Sequence, residues 1–346
     1  DAAAREVVVK GRNKIVSWKQ WNNSSANYFY LENVRGAFTE PGEWFYDVKE
    51  VKVKYRPLPG ERLSGLKALA PTSRLVSLVR FDGDVKNGKF VSDIGFRGLS
   101  FTASRTDGDV CANGAVRQYQ AQAARMAGAA ISGIGAHRVR FEKCRVFNTE
   151  NYGFRFDDGC VSNMIVSCEI YDAGAGGIWF GNGQSNLLQL RNEKYRGLKE
   201  PWNHPFPTQP LTNTTFTATA FNVVDDCEIR HCGRVNAEGC GIVLTHASDS
   251  KISHNDISDL YYTGISVGWT WGYYGSFAQR NEISFNRITN IGQHKMADMG
   301  GVYTLGASHG TVVSNNVIMN VDSSSYGGWG LYNDEGGQMS VFTGNT

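Results

Sequence analysis

Two glycine-rich runs late in the chain combine carboxylates with aromatic side chains. They read Asp298-Met-Gly-Gly-Val-Tyr-Thr-Leu-Gly306 and Tyr326-Gly-Gly-Trp-Gly-Leu-Tyr-Asn-Asp-Glu-Gly336. Glycine allows a ligand to approach the backbone closely because it has no Cβ. Aromatic faces pack against sugar C–H groups, while carboxylates accept hydrogen bonds from sugar hydroxyl groups. These residue types in this pattern indicate a site that binds carbohydrate.

A third run, Gly264-Ile-Ser-Val-Gly-Trp-Thr-Trp-Gly-Tyr-Tyr274, concentrates four aromatic residues on a predicted turn rather than inside a strand. We expect Trp269 and Trp271 to form a platform or wall for a substrate. His246 is a further candidate, because an imidazole can orient substrate hydroxyl groups. A single histidine at a turn is nevertheless more often an incidental surface residue.

A repeated six-residue frame must position these runs. It consists of an apolar residue, two variable residues, Cys or Asn, a variable residue, and Ile or Val. The Cys or Asn column recurs at intervals of 24 to 31 residues, with one longer interval, and such a period is typical of a solenoid. The frame fits Phe141/Cys144/Val146, Ile165/Cys168/Ile170, Val224/Cys227/Ile229, Ile252/Asn255/Ile257, Ile283/Asn286/Ile288, Val313/Asn316/Ile318 and Phe342/Asn345.

The kind of solenoid follows from a second element of each repeat, a Gly followed by apolar residues at every second position, as in Gly241-Ile-Val-Leu-Thr245. That alternation is strand periodicity. Short strands between polar turns predict an all-β fold, a parallel β-helix with coils about 4.8 Å apart. The Asn column is expected to form an amide ladder, continued by Cys144, Cys168 and Cys227 as packed thiols.

The repeat also divides the chain. Residues 1–90 do not follow the frame, and alternating segments such as Tyr28–Leu31 and Glu50–Tyr55 predict part of an antiparallel, sandwich-like subdomain. Residues 91–346 form the predicted β-helix, with an insertion loop at about 184–220. The chain lacks an initiator Met and ends in mid-coil, so we expect it to be part of a longer polypeptide, truncated at both ends.

Coil register sorts the Gly-led strands into inward and outward residues. The second and fourth residues after each Gly are expected to point outward. One outward row then contains Arg155, Trp179, Val243, Ser266, Tyr303 and Tyr332, and the next contains Asp157, Gly181, Thr245, Gly268, Leu305 and Asp334. We predict substrate contacts from Trp179, Tyr303 and Tyr332, although such rings also pack beneath loops.

Composition argues against several classes of partner. A formal net charge of +2 with 20% charged residues gives neither a basic patch for nucleic acid nor an acidic tail. No apolar run approaches the roughly 20 residues of a membrane span. No Cys or His spacing is typical of zinc, so we expect no metal or cofactor, apart from a structural calcium considered at Asp157-Asp158 or Asp225-Asp226. One disulfide among Cys111, Cys160, Cys232 and Cys240 stays open.

Several stretches carry a resemblance to a known family: Ser258–Gly272, the two runs quoted first, and Glu32–Asp47 with Tyr55–Glu61. They resemble the right-handed parallel β-helix glycoside hydrolases of family 141 and, more distantly, the β-helical β-xylosidases of family 120. The resemblance spans nearly the whole chain. It implies a glycosidase acting on plant cell-wall or other complex carbohydrates, α-L-fucosidase-like or xylanase-like, in a secreted or periplasmic location.

Glycoside hydrolysis uses two carboxyl groups, a proton donor and a nucleophile or base, about 5 Å apart for retention and about 6.5 to 9.5 Å for inversion. By match to the family motifs, Asp298 ranks first as a catalytic residue, followed by Glu335 and Asp334. Adjacent strand residues point to opposite sides, so only one of the last two faces the cleft. Alternation favours Asp334, whereas a turn would favour Glu335.

The register conflicts with the motif-based pair. With Gly301 and Gly330 aligned, seven extended residues would separate Asp298 from Asp334 by roughly 23 Å. Either the loop 292–300 folds Asp298 back or the pair is wrong. Glu238 is a rival, because it also stands three residues before its Gly and lies two coils, roughly 10 Å, from Asp298.

Two other functions stay open on this fold. A polysaccharide lyase would use Arg or Lys as its base, and Arg155 beside Asp157 and Asp158 is the candidate for that role. A non-catalytic carbohydrate-binding solenoid would use the aromatic rows alone. Replacement of Asp298 would leave the function of such a binding protein intact.

Overall fold

The computed structural model describes residues 33–70, 75–106, 122–182, 218–272 and 276–346. The chain divides into two units, residues 17–70 and the remainder. In the described part of the smaller unit, Trp44–Asp47 pairs antiparallel with Lys52–Tyr55, and Arg35–Ala37 forms a 3-10 turn. The segment Tyr28–Leu31, predicted as a strand, lies outside the described residues.

The described part of the larger unit consists mainly of three long sheets of parallel strands, which we call the first, second and third sheets. The first sheet contains Val79–Asp82, Ala129–Ile134, Tyr152–Phe156, Ile178–Phe180, Ile242–Leu244, Ile265–Val267, Gly300–Ala307 and Trp329–Gln338. The second contains Gly95–Arg97, Arg140–Glu142, Met164–Val166, Val223–Asp225, Lys251–Ser253, Glu282–Ser284, Val312–Ser314 and Val341–Thr343. The third contains Ser100–Thr102, Arg145–Thr149, Glu169–Ala173, Glu228–Arg230, Asp256–Leu260, Arg287–Ile291 and Val317–Val321.

Shorter elements join these sheets. Among the described residues of this unit, two parallel pairs of short strands lie along the chain between strands of the first and second sheets, and there are two 3-10 turns. The pairs are Val91–Ser92 with Ala136–His137 and Thr219–Ala220 with Ala247–Ser248, and the turns are Val85–Asn87 and Gln122–Ala124. In every long sheet, each strand pairs with the corresponding strand one coil further along the chain. This arrangement confirms the parallel β-helix predicted from the repeats.

The first coil begins earlier than expected. Val79–Asp82 pairs in parallel with Ala129–Ile134 and so belongs to the β-helix, upstream of the expected boundary at residue 91. Phe81 is the reason: it is buried and packs against Phe96 and Phe141 of the core. The six-residue frame does not detect this strand because the frame describes only the second and third sheets.

The Cys and Asn column forms one continuous buried ladder, as predicted. The Cys144 amide donates to Cys168 Sγ, and the Cys168 amide donates to Cys227 Sγ, each over 3.4 Å. The Cys227 amide donates to Asn255 Oδ1 over 3.0 Å, where the thiol part of the ladder meets the amide part. Beyond it, Asn255, Asn286, Asn316 and Asn345 follow with the same bonds.

Six cysteines lie in the described residues, and all six are free and buried. Cys144, Cys168 and Cys227 are the packed thiols that were predicted. Cys111, one candidate for a disulfide, lies outside the described residues. Among those residues, no helix has the length and apolar character needed to cross a membrane.

Candidate functional site

The first sheet aligns the outward row as predicted. Its register joins, coil by coil, Arg155, Trp179, Val243, Ser266, Tyr303 and Tyr332. Exposure changes along this row, since Arg155 and Trp179 are buried whereas Tyr332 is half-buried. The two ends of the row therefore differ in their environment.

The end near Tyr332 holds what we call the carboxylate cluster, formed by Asp298, Asp334, Tyr303 and Tyr332. The Tyr303 hydroxyl donates to Asp334 Oδ2 over 2.6 Å, and the Tyr332 hydroxyl donates to Asp298 Oδ1 over 2.8 Å. The two rings meet edge to face with centroids 5.0 Å apart. Each carboxyl group is thus held by a tyrosine of the other coil, and the two bonds cross between the coils.

The backbone at Asp298 shows how the loop reaches this cluster. Asp298 adopts a left-handed conformation with φ 57°, and its N–H donates to the Tyr326 carbonyl over 2.6 Å. The chain therefore turns at Asp298 instead of extending away, and the long Tyr332 side chain spans the remaining distance to the carboxyl group. Of the two alternatives left open by the sequence, the structure has the one in which the loop 292–300 folds Asp298 back, and Asp298 and Asp334 belong to one cluster.

The electrostatic surroundings of Asp298 favour its protonated form. Burial raises the pKa of Asp298; the hydrogen bond from Tyr332 opposes this rise, and the charge of Asp334 adds to it. Burial, followed by the bound carboxylates, also raises the pKa of Tyr303 and of Tyr332, so both phenols remain hydrogen-bond donors. Asp298 is therefore suited to carry a proton.

Tyr262 lies behind the cluster, within electrostatic range of a third carboxyl group, that of Glu238. Its buried hydroxyl donates to the backbone carbonyl of Asp298 over 3.0 Å. Burial raises the pKa of Tyr262, and the charges of Asp298, Glu238 and Asp334 contribute to the rise. All three carboxyl groups thus lie within electrostatic range of one phenol. Burial also raises the pKa of Glu238 to about 7.

Two exposed aromatic residues border the cluster, and we call them the aromatic wall: Tyr326 and Trp329. Their rings pack edge to face at 5.2 Å, and Trp329 lies 4.2 Å from the Tyr332 ring. Trp329 is 38% exposed and Tyr326 49%, so their faces can accept a ligand. Gly327 makes this packing possible, because a Cβ there would lie 2.8 Å from the Trp329 ring and 3.1 Å from Asp298 Cα.

The other end of the row holds a tryptophan stack, defined here as Trp179, Trp269 and Trp271. Neighbouring rings meet edge to face at 5.7 and 5.2 Å. Trp179 has no exposed surface, and its Nε1 donates to the Gly181 carbonyl over 2.5 Å. Its place fits a packing role rather than the predicted substrate contact. Trp271 is half-buried at the open end of the stack.

Arg155 completes this end of the row. Its guanidinium lies 4.7 Å above the Trp179 ring and donates to Asp157 over 3.0 Å. Nη1 donates to the carbonyls of Arg125 and Ala127 over 2.8 and 2.9 Å. These bonds keep Arg155 buried and engaged, which disfavours the role of a lyase base considered from the sequence.

Two other predicted residues lie apart from the cluster in the described structure. Glu335 follows Asp334 in the strand Trp329–Gln338, where the register with the preceding coil shifts, and it is exposed. Burial lowers the pKa of His246 to about 3, and its buried Nδ1 has no hydrogen-bond partner. His246 packs against Phe277 rather than against a carboxylate.

The aspartates considered for calcium bond to protein groups. Asp157 accepts from Arg155, and Asp225 accepts from Ser253 and His254 over 2.7 and 2.8 Å. Within the described ranges, no three His, Cys, Asp or Glu side chains are grouped so that they could hold a metal ion.

Sequence reasoning missed four residues of this region: Tyr262, Tyr326, Trp329 and Gln122. Tyr326 and Trp329 stand in the same glycine-rich run as Tyr332, so their exposure was the missing information rather than their position. Tyr262 stands next to the glycine-led strand of its coil, where the register places it close to Asp298. Gln122 donates to the Tyr303 hydroxyl over 3.2 Å from a segment without any repeat, so no sequence pattern indicates it.

Comparison with known proteins identifies the architecture. The family model described as the right handed beta helix region matches residues 85–199. A solved structure titled "Glycoside hydrolase" is 22% identical with a TM-score of 0.67, and the match covers 90% of this chain and 56% of that one. No curated protein sequence matches the chain significantly. At this identity the similarity shows the fold, and the chain spans little more than half of that protein.

Two weaker structural similarities accompany it. The complex of XylC with xylose is 12% identical with a TM-score of 0.42, over 75% of this chain and 37% of that one. The A-module of the mannuronan C-5 epimerase AlgE4 of Azotobacter vinelandii is 12% identical with a TM-score of 0.38, over 75% and 70%. Neither similarity is close enough to carry a functional argument.

Proposed function

We propose that the chain is a glycosidase in which Asp298 donates a proton to the leaving oxygen and Asp334 acts as nucleophile or as base for water. The crossed tyrosine bonds carry this proposal, because they hold two carboxyl groups in one cluster. The exposed aromatic wall beside them supports a sugar as substrate. The fold similarity to a glycoside hydrolase supports the same class.

The proton balance follows from the two environments. Protonated Asp298 transfers its proton to the glycosidic oxygen as the bond from this oxygen to the anomeric carbon breaks. In a retaining reaction the Asp334 carboxylate attacks the anomeric carbon, and Asp298 then takes a proton from the water that releases the sugar. In an inverting reaction Asp334 takes the proton from the attacking water. Tyr303 stabilises the carboxylate that performs either step.

The substrate class follows from the wall and from the resemblance to family 141. We propose α-L-fucosides and β-xylosides of plant cell-wall or other complex carbohydrates as the first substrates to test. Such substrates are extracellular polymers, which supports a secreted or periplasmic location.

A leaving-group series separates the two roles. Aryl and alkyl α-L-fucosides and β-xylosides are assayed with the unmodified chain and with Asp298→Asn, Asp334→Asn and Glu335→Gln. Loss of a general acid or base lowers kcat by roughly 10²- to 10⁴-fold. We expect Asp298→Asn to lose least with dinitrophenyl leaving groups, which need no proton, and Asp334→Asn to lose equally with all. Circular dichroism and thermal melts check that each variant is folded.

Glu335→Gln is the matched control, because it removes the adjacent carboxylate on the exposed side of the strand. If Glu335→Gln loses turnover and Asp334→Asn keeps it, the assignment of the second carboxyl group is wrong. If the folded chain binds oligosaccharides but hydrolyses none, a carbohydrate-binding protein replaces the glycosidase. An ultraviolet-absorbing product from pectin or alginate would instead identify a lyase.

A further inference from the structure

The segment Gln122–Ala127, which we call the strap, crosses the outward face of the first sheet and ends at the carboxylate cluster. The Tyr152 hydroxyl donates to the Ala123 carbonyl over 2.5 Å, and Arg155 donates to two carbonyls further along the strap. Ala123 and Ala124 are buried. The strap is therefore fixed to the sheet by side chains that are themselves buried.

The backbone of the strap is strained at its start. Ala123 and Ala124 adopt left-handed conformations with φ 58° and 48°. An alanine is disfavoured in this region because its Cβ crowds the following carbonyl, so the surrounding contacts must impose the conformation. These contacts hold Gln122 at the position from which its side chain reaches the cluster.

Gln122 bonds to the tyrosine that holds Asp334. Its Nε2 donates to the Tyr303 hydroxyl over 3.2 Å, and that hydroxyl donates to Asp334 Oδ2 over 2.6 Å. A phenol has a single proton, so a donor on one side of the oxygen leaves that proton for the acceptor on the other side. Tyr303 is 2% exposed, so water does not compete for either bond.

We propose that Gln122 is a positioning residue, which directs the Tyr303 hydroxyl proton at Asp334 and so fixes the orientation of this carboxylate for its attack on sugar or water. This inference rests on the proposed function. It explains why a strained segment far away in the sequence is anchored across the sheet. In addition, burial and the bound Asp334 raise the pKa of Tyr303, and the bond from Gln122 opposes this rise. The opposing bond makes the hydroxyl a stronger donor.

Several titratable groups from different elements face Asp334. Tyr303 from the preceding coil binds it, and Asp298 from the loop and Tyr262 from an earlier coil interact with its charge. Tyr332 and Glu335 lie on its own strand, Tyr332 within range of its charge. Gln122 is uncharged, so its removal changes no charge in this set.

A double-mutant cycle tests the inference. Gln122→Met keeps the length of the side chain but removes the donor, and Tyr303→Phe removes the hydroxyl on which Gln122 acts. We expect Gln122→Met to lower kcat roughly tenfold, the worth of about one hydrogen bond, with KM changed less than about twofold. In the Tyr303→Phe background, Gln122→Met should cause no further loss. Equal losses in both backgrounds, or no loss in either, would overturn the inference.

A carboxyl NMR measurement without substrate separates this inference from the proposed function. In protein with ¹³C-labelled aspartate carboxyl groups, Asp334→Asn assigns the signal of Asp334. At fixed pH, Gln122→Met should change the chemical shift of that signal, because the hydroxyl that donates to Asp334 is less well oriented, while Met126→Leu on the exposed part of the strap should not. If the chain hydrolyses no glycoside, the proposed function fails and this signal alone decides: a changed chemical shift supports the positioning role, and an unchanged one overturns it.

Discussion

The two ends of the outward row share one register but not one role. At one end, Arg155 covers Trp179 and donates to backbone carbonyls of the strap, so neither side chain remains exposed. At the other end, Tyr303 and Tyr332 bind two carboxyl groups beside the exposed Trp329. Register decides which side chains leave the core, whereas the contacts across the outward face decide which of them stay exposed.

The chemistry of the side chains explains the difference. A guanidinium has several donors in a fixed plane, and a buried one is stable only when these donors are paired. Asp157 and the strap pair them, and the result is a packed layer. A phenol donates only once, so each tyrosine occupies one of the acceptor positions of its carboxyl group. Each carboxyl group keeps further acceptor positions beyond the one that its tyrosine occupies.

Two tryptophan variants should show the largest effects that distinguish the two ends of the row. Trp179→Ala should lower the free energy of unfolding by about 3–5 kcal/mol, because it removes a fully buried ring and leaves a cavity. Trp329→Ala removes a ring that is 38% exposed, so it should cost stability far less and instead raise KM for the sugar substrate about fivefold, the worth of one aromatic contact. Urea unfolding and steady-state kinetics measure the two effects. Equal losses of stability would contradict the division into a packed end and a ligand-binding end.

The sequence predicts which residues form the ladder and the outward row. It does not predict how exposed the residues of the row are. The Cys and Asn spacing was sufficient for the β-helix and for the packed thiols, because one residue per coil must occupy each ladder position. The same register places Tyr303 beside Tyr332. It could not reveal that Arg155 covers Trp179, since the strap that holds Arg155 in place has no repeat. Nor could it locate Asp298, whose position depends on an irregular loop in which Gln293, His294 and Asp298 are left-handed.

A pH measurement on Glu238 sharpens the description of the ligand-binding end. Burial raises the pKa of Glu238 from 4.5 to about 7, so the folded state binds its proton more tightly than the unfolded state does. The contribution of Glu238 to the free energy of unfolding is complete below pH about 4.5. It decreases as the pH rises to about 7, and the decrease is about 3 kcal/mol at most. Glu238→Gln should remove that part of the pH dependence of unfolding. Glu335→Gln controls for the loss of one negative charge at this end, and an unchanged profile in Glu238→Gln would show that this carboxyl group is solvated.

The smallest expected effect concerns the bond between Tyr332 and Asp298, and it tests which carboxyl group carries the proton. That bond opposes the rise in the pKa of Asp298 caused by burial and by Asp334, so Tyr332→Phe should raise this pKa further. A proton donor is lost as pH rises through its pKa, and the descending limb of the kcat/KM profile should therefore move to higher pH, by less than about one unit. Tyr171→Phe, in the ring stack of the third sheet with Phe147, is the control and should leave the limb in place. If the ascending limb moves to higher pH in Tyr332→Phe and the descending limb stays in place, Asp298 acts in its ionised form and the roles of the two carboxyl groups are exchanged.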